Sequence, residues 1–108
     1  MLENLFVYGT LGPNRPNEHI LKKIGGSWEE ATVRGKLKEE GWGAKMGYPG
    51  IKLDENEDEI NGFVFMSENL SYHWNMLDAF EGEGYKRVLA QVKINSGKII
   101  TAYLYVLK

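Results

Sequence analysis

A glutamate in an apolar position is the first group in this sequence that points to chemistry. The stretch from about Asn69 to Phe80 predicts a helix. With Leu70 as the origin and about 100° per residue, Trp74 falls at about 40°, Leu77 at about 340° and Phe80 at about 280°, a stripe that must face a core. Glu81 falls at about 20°, in line with that stripe, whereas Asp78 lies toward its edge and Asn75 on the exposed side. Burial favours the neutral form of a carboxyl group, and the C-terminal end of the helix dipole pushes the same way. Both effects move Glu81 toward the range useful for proton transfer near neutral pH. A second reading stays open from the pattern: a helix ending at Phe80 lets Glu81 turn into solvent or pair with Lys86 or Arg87.

The second candidate is the turn Tyr8-Gly9-Thr10-Leu11-Gly12, which follows an apolar run directly. Glycines around a polar residue can aim successive backbone N–H groups into a cavity, as a nest for a carboxylate or a developing oxyanion. The spacing fits neither a dinucleotide fingerprint nor a phosphate-binding loop with its Lys-Ser/Thr ending. An ordinary strand-ending turn has the same composition.

The elements that must position these groups can be read from periodicity. Leu5-Phe6-Val7-Tyr8 reads as a buried strand stopped by Gly9. A short helix starts at Glu18, with Asn17 as N-cap, Ile20, Leu21 and Ile24 at helical spacing, and Gly25-Gly26 as the stop. Thr32 to Leu37 alternates as a strand after a polar lead-in from Ser27. Gly41 to Gly50 has the composition of an irregular loop of the kind that lines pockets. Asp54 to Glu59 alternates acids and an amide, but Glu59 and Phe65 occupy the positions where a calcium loop needs glycine and a bidentate glutamate, so a solvated hairpin turn is expected there. Ile60 to Met66 reads as a strand with both faces covered. Tyr85 to Ile94 and Ile99 to Leu107 read as two strands of a hairpin turning at Asn95-Ser96-Gly97-Lys98. Strand, helix, strands, helix, hairpin is the order of an α+β domain with a mostly β core, a curled sheet or barrel.

Composition narrows the function classes. The 108 residues fit a single domain, with 43% hydrophobic and 26% charged residues, ordinary values for a folded soluble protein. A net charge of -2 with scattered basic residues argues against nucleic acid as partner. The absence of cysteine excludes disulfides, thiolate metal sites and a cysteine nucleophile. His19 and His73 are far apart and lack the paired spacing of common zinc motifs, so no metal is expected. No stretch approaches transmembrane length, and the N-terminal residues carry no positive n-region, so neither a membrane nor a signal peptide is expected and the cytoplasm is the default location.

The two candidate sites, taken with their neighbours, resemble the γ-glutamyl cyclotransferase-like family, in particular its γ-glutamylamine cyclotransferase branch and the related small microbial and plant AIG2-like proteins. The resemblance rests on Phe6-Val7-Tyr8-Gly9-Thr10-Leu11, Gly47-Tyr48-Pro49-Gly50, Leu77-Asp78-Ala79-Phe80-Glu81-Gly82 followed by Tyr85-Lys86-Arg87, and Tyr103-Leu104-Tyr105, in the family's order along nearly the whole chain. It implies a small mixed β-barrel with flanking short helices and a cavity beside the first turn. It also implies an enzyme that forms 5-oxoproline and a free amine from a γ-glutamyl amine or small γ-glutamyl peptide, without cofactor or metal. In that reading Glu81 transfers protons, the backbone of Tyr8, Gly9, Thr10 and Leu11 holds the substrate, and Tyr48, Tyr85 and Tyr105 line the pocket, Tyr48 being equally accounted for as core packing. The Glu81-Gly82-Glu83-Gly84-Tyr85 spacing is the shorter one of small microbial members, and it makes Glu83 a rival carboxylate. Two other functions fit the same fold: a non-catalytic module binding a small carboxylate, and a related amide or acyl transfer on another metabolite.

Overall fold

Alternating segments become neighbouring strands in the computed structural model, which describes residues 2–40 and 49–108. The elements are β1 (Glu3–Val7), α1 (Glu18–Ile24), β2 (Ser27–Lys38), β3 (Gly50–Leu53), β4 (Glu59–Ser67), α2 (Trp74–Glu81), β5 (Tyr85–Ile94) and β6 (Ile99–Leu107). Strands β2, β4, β1, β6 and β5 join edge to edge in that order, and a short β2–β5 pairing at Ala31↔Ile94 and Thr32↔Lys93 closes the ring. The result is a closed five-stranded mixed barrel with short helices against it, the α+β class and architecture expected. Only the β1–β6 pair is parallel among these strands; Leu5 lies opposite Tyr103.

Both faces of β1 are covered, as its unbroken apolar run requires. Phe6 points into the barrel with Val64, Val92 and Leu104, while Leu5 and Val7 point outward to a second core beneath the helices, formed with Leu21, Leu70, Leu77 and Tyr105. This two-layer burial explains why the cavity described below forms where β1 ends. Close packing inside the barrel fixes one glycine. A Cβ on Gly62 of β4 would lie 2.5 Å from Phe6 Cζ and 2.5 Å from the Val7 carbonyl oxygen. Gly62→Ala is expected to lower the unfolding free energy by about 1–3 kcal/mol, read as a shifted urea midpoint at unchanged m-value.

Three expectations change. The polar lead-in from Ser27 is itself strand: β2 pairs with β4 from Ser27↔Met66 onward, and Trp28 packs at 4.8 Å centroid separation on Phe65. The acidic segment after Leu53 is not a hairpin turn. β3 and β4 flank β2 on opposite edges, so the segment crosses over β2, with Asp54 N–H donating to Arg34 O at 3.3 Å and Gly35 N–H to Asp58 O at 3.2 Å. The long second helix is broken. Leu70–Tyr72 forms a 3-10 turn, and α2 starts only at Trp74 after His73. The expected loop at Gly41 to Gly50 falls mainly outside the described residues; Gly50 already opens β3. Asn17 precedes α1 as expected but makes no side-chain capping bond. The hairpin at Asn95 to Lys98 forms, closed by Ile94 N–H to Lys98 O at 2.9 Å. No helix among the described residues is long and apolar enough to cross a membrane.

Candidate active site

Helix α2 runs through Glu81 and stops at Gly82, whose φ of 85° is a left-handed conformation that glycine adopts without steric cost. Gly82 N–H donates to Asp78 O at 3.0 Å, closing the last turn. The alternative of a helix ending at Phe80 is therefore set aside. Leu77, four residues earlier on the same face, is fully buried. Glu81 is carried by that face to the edge of the core, where it lines a cavity with Tyr8, Gly9, Thr10, Leu11, Tyr85 and Tyr105. Phe6, Val7 and Pro49 complete the lining. The cavity measures about 40 Å³, room for a few waters or the reacting end of a small substrate. Burial pushes the Glu81 carboxyl up to about 7, because the charged form loses hydration there.

The turn after β1 is folded by its own carbonyls. Gly12 N–H donates to Gly9 O at 3.2 Å, and Asn17 N–H to Thr10 O at 2.8 Å. The N–H groups of Gly9, Thr10 and Leu11 take no part in those turn bonds. None of residues 9–12 has positive φ; the left-handed residue of this loop is Asn14, with φ 61°. The turn therefore lacks the alternating left-handed step of a nest, and Gly9 is required neither by backbone conformation nor by space, since an added Cβ would meet nothing within 4 Å. Thr10 and Leu11 are buried.

Tyr8 ties the turn to two other elements. Its hydroxyl donates to Tyr105 O at 2.7 Å and accepts from Ile51 N–H at 3.1 Å, at the start of β3. Burial, above all, holds the phenols of Tyr8 and Tyr105 well above their ordinary range, so both stay protonated donors. Tyr85 and Tyr105 are buried wall residues. Glu83, the rival carboxylate, is exposed and lines an outer groove rather than this cavity. Tyr48 lies outside the described residues. Pro49 belongs to the Gly41 to Gly50 loop expected to line a pocket, whereas the sequence did not single out Phe6 or Val7 as cavity lining; these adjacent residues of one strand reach the same cavity where β1 ends. Among the described residues no group of three His, Cys, Asp or Glu could hold a metal ion.

Comparison with known proteins shows the family and the fold. Residues 5–108 match the family model described as gamma-glutamyl cyclotransferase, AIG2-like. YkqA of Bacillus subtilis (strain 168), provisionally named a gamma-glutamylcyclotransferase, is 35% identical over 100 residues, covering 92% of this chain and 34% of the relative. The chain thus spans about a third of that relative's length. The crystal structure of YkqA superposes with a TM-score of 0.75 at 30% identity, covering 100% of this chain and 36% of that one. An Arabidopsis thaliana protein solved in solution gives 0.74 at 26% identity, covering 98% and 68%. An AIG2-like protein of Mus musculus gives 0.74 at 21% identity, covering 97% and 76%, a likeness of fold. With the family model matching from the first strand to the last residue, this chain belongs to the gamma-glutamyl cyclotransferase, AIG2-like family.

Proposed function

We propose that this protein is an enzyme that converts a γ-glutamyl amine or a small γ-glutamyl peptide into 5-oxoproline and a free amine, with Glu81 as the proton carrier. The observation that carries this reading is the shared cavity: a half-buried glutamate at the end of α2 faces the same space as the Tyr8–Leu11 turn. In the reaction the substrate's α-amine gives a proton to the Glu81 carboxylate and attacks its own γ-carbonyl carbon. The tetrahedral intermediate then collapses as the carboxyl returns that proton to the leaving nitrogen. One C–N bond forms, one breaks, and no water is consumed. A group poised at about 7 exists in both protonation states near neutral pH, as a single residue serving first as base and then as acid requires. The turn N–H groups supply hydrogen bonds to the substrate, and ring closure gains from holding one reactive conformer.

The experiment is incubation of the full chain with a panel of γ-glutamyl amines and γ-glutamyl dipeptides, with 5-oxoproline measured directly. Formation from at least one panel member is expected. Binding of 5-oxoproline or glutamate without product from any panel member would replace the enzyme by a carboxylate-binding module.

A further inference from the structure

Asp78 does not line the cavity. It precedes Glu81 by three residues on α2, and its carboxylate meets a residue that the cavity uses. Tyr105 Oη donates to Asp78 Oδ1 at 2.7 Å, and Arg87 Nε lies 3.6 Å from the same oxygen. The Arg87 guanidinium is stacked over Trp74, the first residue of α2, at 4.2 Å from the ring centroid, and lies 5.4 Å from that of Tyr103. The main-chain oxygen of Tyr105 receives the Tyr8 hydroxyl at 2.7 Å. One residue of β6 is therefore bonded through its side chain to the helix bearing Glu81, and through its main chain to the residue that opens the turn.

We propose that Asp78 is a positioning residue for the reaction assigned above, acting through the Tyr105 hydroxyl to set Glu81 against the Tyr8–Leu11 turn. The proposal rests on that assignment. Helix α2 has only 8 residues, about two turns, and Leu77 is its one fully buried side chain. Trp74 and Phe80 also pack against the core that holds Leu77, partly buried, and apolar burial, being non-directional, constrains the helix's rotation and slide less than a directional bond does. A phenol–carboxylate hydrogen bond is short and directional and supplies that constraint. The Asp78 side chain is 45% exposed and that of Arg87 25%, so their ion pair contributes little by itself. Its place is to orient the carboxylate toward Tyr105. Burial first, and the Asp78 bond next, keep the Tyr105 phenol protonated and able to donate.

The test is a double-variant cycle on the full chain, with Tyr105→Phe, Asp78→Ala, Asp78→Asn and the Asp78→Ala/Tyr105→Phe pair. Tyr105→Phe and Asp78→Ala are each expected to lower kcat by about 10- to 100-fold with KM little changed, because a small misplacement acts on the reacting geometry. The pair should be no lower than either single variant, since both remove one bond. Asp78→Asn keeps an oxygen acceptor and should recover most of the loss. Losses that multiply, or an Asp78→Asn variant as slow as Asp78→Ala, overturn the proposal. Amide hydrogen exchange at residues 77–82 keeps it separable from the assigned activity. If the unaltered protein forms no 5-oxoproline, the activity fails, while equally accelerated exchange in Tyr105→Phe, Asp78→Ala and the pair still supports the tie. Unchanged exchange in Tyr105→Phe overturns it.

Discussion

Glu81→Gln is expected to lower 5-oxoproline formation by about 10²–10⁴-fold, the range that a positioned proton carrier contributes, while 5-oxoproline still binds. Glutamine keeps the size and the hydrogen-bonding oxygen of the side chain but cannot take the proton of the attacking amine. The pH profile supplies a second reading of the same group. The carboxylate form starts the reaction, so kcat/KM should rise with pH through about 7, where burial places this carboxyl, rather than through the ordinary range of glutamate. Glu83→Gln, at an exposed position outside the cavity, should leave that limb in place. Turnover unchanged in Glu81→Gln would remove Glu81 from the mechanism and leave the cavity without its proton carrier.

The same substitution should stabilise the fold in a pH-dependent way. Burial raises Glu81 from 4.5 to about 7, so between those values the native state holds a proton that the unfolded chain has released. The stability associated with that proton is fully present below about 4.5 and is lost as pH rises through about 7. Glutamine carries no such proton. The difference in unfolding free energy between Glu81→Gln and the unaltered protein should therefore grow from near zero at about pH 4 to about 3 kcal/mol in favour of the variant at about pH 8. Urea unfolding across that range measures it without any substrate. An offset that does not change with pH would mean that Glu81 titrates like an ordinary surface carboxylate. A gain that grows with pH would mean that the proposed proton carrier is held in place at the expense of stability.

How much of this was legible in the sequence depended on whether the signal was local. The bounds of β5 and β6 are legible in the sequence, because alternation and an Asn-Ser-Gly-Lys turn are both encoded in neighbouring residues. The phase of Glu81 is readable for the same reason, although the stripe begins at Leu70, which belongs to a 3-10 turn. The relation that survives the break is Leu77 to Glu81, four residues within one helix. Long-range pairing was not readable. Ser27 to Glu30 looks polar, and only the ladder to β4 makes it strand. The crossover after Leu53 looked like a hairpin because composition reports a turn but not which strand lies between its arms. Tyr105 could be named as a wall residue through resemblance alone, and its bond to Asp78 joins residues 27 apart in sequence. Such a contact leaves no periodic trace.

The parallel pairing of β1 with β6 has a consequence in time. The bond from Tyr8 to Tyr105 spans 97 positions of sequence, so the turn and the wall of the cavity meet only when the two strands farthest apart along the chain find each other. Contacts of such separation carry the largest loop-closure cost and slow folding. The edge of β1 that pairs with β6 has no partner until β6 has been made, so the Tyr8–Tyr105 side of the cavity is complete only after that pairing. A folding experiment that follows Tyr8 or Tyr105 should therefore see the site form late, together with barrel closure, rather than with the β5–β6 hairpin.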